Sequence, residues 1–250
     1  MARPVELTVE LIACSQFQTP ADIAWTTDAS GGEALIEFAG RACYESFDKP
    51  NPHTADNASY VRHVMEVGHT ALLEHASATL YLRGISRSAS HELMRHRHFS
   101  FSQLSQRFVH DDDANVIIPD LIAEDEALSR LFYRAIDESR FAFNELLNAL
   151  EEKLGGEANA LLRKKQARQA ARAVLPNATE SRVVVTGNFR SWRHFIGMRA
   201  SEHADAEIRR VAVECLKVLQ AQAPVVFGDF EISTLRDGTS MATSPYVTDF

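Results

Sequence analysis

Cysteine is scarce in this 250-residue chain. Cys14, Cys43 and Cys215 are odd in number and far apart, which excludes a disulfide framework and a Cys-x-x-Cys pair. A small buried residue is the expected role of Cys43, ahead of a thiolate nucleophile. No stretch approaches the roughly 20 apolar residues needed to span a bilayer. Met1-Ala2-Arg3-Pro4 runs straight into mixed polar sequence without the apolar core of a leader, so the cytoplasm is the expected location. The eleven glycines take neither the dinucleotide-fingerprint nor the phosphate-loop spacing. A dinucleotide would therefore have to be held by arginine, histidine and amide side chains. His91, His96 and His98 lie close in sequence, but no His-Glu-x-x-His motif occurs and cysteine is absent nearby. With arginines around them to repel a divalent cation, no metal is expected.

Net charge is −8, which sets the chain as a whole against nucleic acid and anionic membranes. Positive charge nonetheless concentrates at 83–107, 163–172 and 182–199. Acids are missing from 95–107 and from 158–172. The first of these, Arg95-His96-Arg97-His98-Phe99-Ser100-Phe101-Ser102-Gln103-Leu104-Ser105-Gln106-Arg107, interleaves guanidinium forks with hydroxyls, amides and two aromatic rings. Arginine matches phosphate oxygens two at a time, and serine and glutamine add directed hydrogen bonds. A basic pocket in an acidic protein suits a small anionic, nucleotide-like ligand better than a polymer.

Apolar spacing predicts helices over 33–46, ended by Asp48-Lys49-Pro50, and over 57–67, closed by Gly68. Ala78–Leu82 reads as a strand punctuated by Gly84, with a helix starting near Ser86. The basic run then begins on that helix and leaves it as an extended segment. The strongest periodicity, from Leu128 through Ile136 and Phe143 to Leu154, marks a long helix over 124–154 that serves as scaffold or subunit contact. Further helices are expected at 157–174, 192–201 and 204–221, a strand at 183–186, and a tail of little core content at 236–250. Lys165, Arg168 and Arg172 share one helical face. Arg199 continues the apolar stripe of Trp192, Phe195 and Ile196. Either Glu202 neutralises it or it points into a ligand site, because an unpaired charge there is expensive. Without repeats or linkers, 1–250 reads as one catalytic domain of the α+β class.

Arg95-His96-Arg97, seven residues, then Ser105 resembles the signature of the flavin-dependent thymidylate synthases. Around it stand Gly84-Ile85-Ser86-Arg87, His91-Glu92-Leu93 and Ser105-Gln106-Arg107. Gly68-His69 with Glu74-His75, Arg168-Gln169-Ala170-Ala171-Arg172 and Arg199-Ala200-Ser201 resemble the family's other blocks in the same order, from about 33 to about 235. After Gly68-His69 the family often places a serine where this chain has Ala71, with Thr70 beside it. The resemblance implies a mainly antiparallel central sheet flanked by helices, and a homotetramer whose subunits share active sites. It implies conversion of dUMP to dTMP with FAD, NADPH as reductant and 5,10-methylenetetrahydrofolate as one-carbon donor. It places Arg95, His96, Arg97, Gln103, Asn188, Arg190 and His194 on FAD. It places Arg87, Glu92, Arg95, Gln103, Ser105, Gln106, Arg107, Arg172 and Arg199 on dUMP. Arg199 would polarise the pyrimidine, and Ser105 would be a binding hydroxyl, since no general base is evident beside it.

Two other classes compete with this reading. An RNA-binding module would use the basic helix at 163–172 with Phe99, Phe101 and Arg107 for stacking, against the chain's overall acidity. A metal-dependent nucleotide hydrolase would lose activity with a chelator.

Overall fold

The computed structural model describes residues 3–108 and 115–247. In chain order its elements begin with β1 (Thr8–Cys14), α1 (Gly31–Ala42), α2 (Asn57–Glu66) and β2 (Ser77–Ser86). Next come α3 (Arg87–Leu93), β3 (Ser100–Gln103), the short α4 (Asp120–Ala123), α5 (Glu126–Lys153) and α6 (Ala160–Ala171). The remainder is β4 (Glu180–Asn188), α7 (Phe189–Arg199), α8 (Ala206–Gln222), α9 (Pro224–Phe227), β5 (Glu231–Thr234) and β6 (Ser240–Thr243). No helix among the described residues is long and apolar enough to cross a membrane.

Four strands form a sheet in the order β1-β2-β4-β3, and β5 and β6 pair separately and antiparallel. Neighbours in the larger sheet are antiparallel throughout. Ser15 N–H donates to Ser77 O at one end of the β1–β2 pair while Glu6 lies against Gly84 at the other. Thr79 meets Thr186 at 2.9 Å and Gly84 N–H donates to Glu180. Leu104 N–H donates to Arg182 O while Phe99 lies on Gly187. The chain divides into two compact units. One comprises 1–7, 83–91 and 102–183; the other comprises 8–82, 92–101 and 184–250.

In the first unit, α5 is nucleated at Asp125, whose carboxylate accepts from the N–H groups of Ala127 and Leu128. Only Ile136 and Phe143 of its stripe are buried, Ile136 beside Val116. Leu128, Leu131, Phe141 and Leu146 are exposed. The helix α6 begins later than its periodicity predicts, because the Asn159 side chain caps Leu161 and Leu162. Gly84 does not end β2. With φ of +69° it sits inside the strand, and a side chain there would collide with the Glu6 carbonyl.

In the second unit, Trp192, Phe189, Phe195, Ile196, Val211 and Leu216 form the core with the inner positions of β2 and β4. The helix α1 stops at Ala42, four residues short of the predicted end. Glu45 adopts φ of +49° and Ser46 N–H returns to Arg41 O, so the helix closes through a left-handed residue that is not glycine. Cys43 lies on this turn and is exposed, contrary to its expected burial. Residues 240–243, inside the expected tail, bury Ala242, whose N–H donates to Ala200 O. The last three residues of the expected tail, 248–250, lie outside the described ones.

A buried ion pair anchors α1. Arg41 Nε donates to Glu37 Oε1 at 2.7 Å, with the side chains 2% and 0% exposed. Arg41 also donates to Thr54 O at 2.6 Å and lies 4.6 Å over the Tyr60 ring. Glu37 accepts from Thr27 and Asn57. Removing one partner strands the other charge away from water. Arg41→Ala is expected to lower unfolding free energy by about 3–5 kcal/mol, read from the urea midpoint at unchanged m. A midpoint equal to the wild type's would show that the pair contributes nothing.

Candidate functional site

The second unit contains a cavity of about 760 Å³ lined by Glu74, Arg95–Phe99, Asn188, Arg190, Ser191, His194 and Arg199. Its walls come from two places. The turn after α3 supplies Arg95 to His98, so the basic run begins just past that helix rather than on it. The first turn of α7 supplies Asn188, Arg190 and Ser191, with His194 and Arg199 further along. Asn188 caps α7: its side-chain oxygen accepts from Ser191 N–H at 2.8 Å, which leaves its amide N–H groups for other partners.

Phe99 seals the inner wall. Its ring lies 4.5 Å from Trp192 and 5.9 Å from Phe195, and it covers Gly187 so closely that any side chain there would overlap it. Trp192 Nε1–H in turn donates to Ala78 O at 3.1 Å. This packing fixes the segment that carries His96, whose ring meets the Phe195 edge at 5.1 Å.

Arg199 ends α7 and does not pair with Glu202. Its Nε donates to His96 Nε2 at 3.0 Å and its Nη1 to Glu92 at 3.3 Å, while Nη2 is uncommitted among the described residues. Accepting that bond requires a neutral imidazole with its proton on Nδ1. Burial, then the charges of Arg199, His194 and Arg95, lower the His96 pKa to about 4. His194 is also lowered, by burial and then by His98 and Arg190. The cavity thus holds fixed guanidinium charge beside uncharged imidazoles. At its mouth Arg190 pairs with Glu74 at 2.5 Å, both about half exposed. Ser191 and Glu74 line the cavity with no ligand role expected of them from the sequence, and His98 and Phe99 line it outside the metal and RNA readings in which they figure. Only the spacing of the cap, Asn188-x-x-Ser191, carries a local signal for one of them.

The other expected residues, Arg87, Gln103, Ser105, Gln106, Arg107 and Arg172, belong to the first unit. There Phe108 gathers cations. Arg107 and Lys165 lie 5.6 and 5.5 Å from its ring and Arg168 donates to its carbonyl. Arg172 follows α6 in a single 3₁₀ turn and is half-buried. Ser105 Oγ accepts from Arg107 N–H at 3.4 Å, and no base reaches it among the described residues. Gln103 donates to Ser90 and Ser181 at 2.9 and 2.7 Å. Among the described residues no group of three His, Cys, Asp or Glu side chains converges as a metal ion would require.

A family model described as thymidylate synthase complementing protein matches residues 26–225. The flavin-dependent thymidylate synthases of Corynebacterium efficiens and Corynebacterium glutamicum are 78% and 77% identical over 250 residues, covering the whole of both chains in each case. That of Mycobacterium bovis is 60% identical over 249 residues, again over the full length of both. Among solved structures, the UMP/dUMP methylase PolB from Streptomyces cacaoi, bound with 5-Br dUMP, superposes with a TM-score of 0.70 at 22% identity. The match covers 91% of this chain and 96% of that one, a likeness of fold.

The lowered His96 pKa ties stability to pH. Unfolded, the imidazole takes up a proton below about 6.5, whereas folded it resists until about 4. The unfolded state therefore binds more protons between those values, and stability, complete above 6.5, falls as pH drops through the window. His194 adds in the same direction. Urea titrations of the cofactor-free protein should show His96→Gln losing less stability than wild type between pH 6.5 and 4. Identical pH slopes would remove His96 as the titrating group.

Proposed function

This chain belongs to the flavin-dependent thymidylate synthases and is an enzyme of that family, and we propose that it converts dUMP to dTMP in the cytoplasm. In this reading FAD is the flavin, NADPH the reductant and 5,10-methylenetetrahydrofolate the one-carbon donor. The observation that carries it is the cavity at the start of α7. Its volume lies in the range of cofactor sites. Arg95, Arg97 and Arg190, together with the side-chain amide of Asn188, form the donor set a pyrophosphate needs in the absence of a glycine fingerprint. Phe99 and the neutral imidazole of His96 offer flat surfaces beside it. The residues present fit an FAD.

We assign Arg95, His96, Arg97, Gln103, Asn188, Arg190 and His194 to hold it. When bound, FAD supplies the redox chemistry, and the chain supplies position and electrostatics. The Arg190–Glu74 pair orients one phosphate partner at the mouth. Arg87, Glu92, Arg95, Gln103, Ser105, Gln106, Arg107, Arg172 and Arg199 are assigned to dUMP, the arginines to its phosphate except for Arg199. The arginine and lysine gathering at Phe108, beside a helix without acids, supports an anion there.

Arg199 is the proposed catalytic residue. Activating the uracil carbon for attack builds negative charge on the ring nitrogen and the adjoining oxygen. A guanidinium already held by His96 and Glu92 stabilises that charge without having to reorganise. A homotetramer completes the proposal: the exposed Leu128, Leu131, Phe141 and Leu146 of α5 are the kind of surface that a subunit contact covers.

The direct test is the visible absorption spectrum of the purified protein, before and after FAD, then with dUMP and NADPH. A bound-flavin spectrum that NADPH bleaches, faster with dUMP present, is expected. A colourless protein indifferent to FAD would overturn the assignment. Arg199→Ala should keep the flavin spectrum and lose dTMP formation by on the order of 100- to 1,000-fold. Undiminished dTMP formation would refute its role.

A further inference from the structure

Gln103 is held by a relay that decides which end of its amide faces outward. Its Nε2 donates to Ser90 Oγ at 2.9 Å and to Ser181 Oγ at 2.7 Å, which uses both amide hydrogens. The two serines are 1% exposed and have no other side-chain partner among the described residues. Their roles differ. The Ser90 hydroxyl spends its single hydrogen on Arg87 O at 2.9 Å within α3, so towards Gln103 it can only accept. A flipped amide would set oxygen against an oxygen whose hydrogen is committed elsewhere. Ser181 meets no acceptor for its hydrogen among the described residues and would tolerate either orientation. The flip is therefore prevented by Ser90 alone.

What remains of Gln103 is one acceptor. Its Oε1 takes no hydrogen bond among the described residues, and it is not one of their sealed, unpartnered polar atoms. The side chain is half-buried, two residues before Ser105 and four before Arg107. Such an oxygen rewards a ligand N–H and repels a ligand lone pair, because a mismatched acceptor leaves both groups unsatisfied.

We propose that Ser90, through Gln103, makes this chain selective for a neutral imide, a ring N–H flanked by two carbonyls. The inference rests on the assignment of Gln103 to the nucleotide and flavin. The uracil ring and the isoalloxazine ring both carry that group, and cytosine presents a lone pair in its place. Ser90 is a positioning residue here, Gln103 the contact.

Equilibrium binding separates the two sources without recourse to turnover. In one arm, dUMP and dCMP are titrated into FAD-loaded wild type, Ser90→Ala and Ser181→Ala. In the other, FAD and FAD methylated at N3 are titrated into the cofactor-free proteins. Ser90→Ala is expected to reduce the preference for the imide ligand at least tenfold in one arm, through tighter binding of the disfavoured ligand. Ser181→Ala should weaken binding with the preference retained. The arm that responds names the ring. A simple packing defect would weaken both ligands of a pair alike, so unchanged ratios in both arms for Ser90→Ala overturn the proposal. Wild type that binds neither flavin nor nucleotide would instead overturn the functional assignment beneath it.

Discussion

A guanidinium hydrogen-bonded to an imidazole is stable only while the imidazole is uncharged, and the cavity depends on that condition. Arg199 donates to His96 Nε2; protonating His96 would set two cations face to face and remove the acceptor. Burial keeps the imidazole neutral first, and the charge of Arg199 reinforces it. Each side of the contact thus maintains the other. Glu92 adds a carboxylate on the far side of the guanidinium, balancing its charge without consuming its outer nitrogen. The result is a fixed positive potential at the end of a helix, with hydrogen-bonding capacity left for a ligand.

The helix that carries this group is held from behind. Arg193, 3% exposed, forks onto both oxygens of Asp229, donates to the Val226 carbonyl and to Ser244, and lies 4.8 Å from the Phe230 ring. Ser244 donates back to Asp229, and Gly197 leaves room for Val247. Another carboxylate, Glu33, accepts from the N–H groups of Val225 and Val226 and fixes the start of α9. Its pKa is raised because the loss of solvation outweighs those two bonds. The front of α7 faces the cavity with Arg190, His194 and Arg199. The back is secured by an ion pair largely withdrawn from water.

Much of this was legible along the chain where the cause is local. The 3.6-residue apolar rhythm locates α2, α5 and α7 to within a few residues. The run from Arg95 to Arg107 announces anion chemistry through composition alone. What escaped reading has non-local causes. The partner of Arg199 lies 107 positions away at Glu92, whereas Glu202, the neighbour in sequence, falls beyond the last turn of α7. The early end of α1 follows from a left-handed Glu45 and the return of Ser46 to Arg41, and no glycine marks it. Gly84 looked like punctuation, but its role is to let the Glu6 backbone pass against a continuous strand. Cys43 looked apolar by company, yet it sits on the outside of that same α1 turn.

The mooring of α7 also imposes an order of events on a chain made from its N-terminus. Arg193 leaves the ribosome 36 residues ahead of Asp229 and 51 ahead of Ser244. Until those partners arrive, sealing the back of the helix would bury a bare cation, which is strongly unfavourable. The basic segment at 95–107 is by then long synthesised, yet the wall facing it has no settled position. The wall of the pocket therefore cannot settle before Asp229 and Ser244 are made, so residues that never line it set when it takes shape.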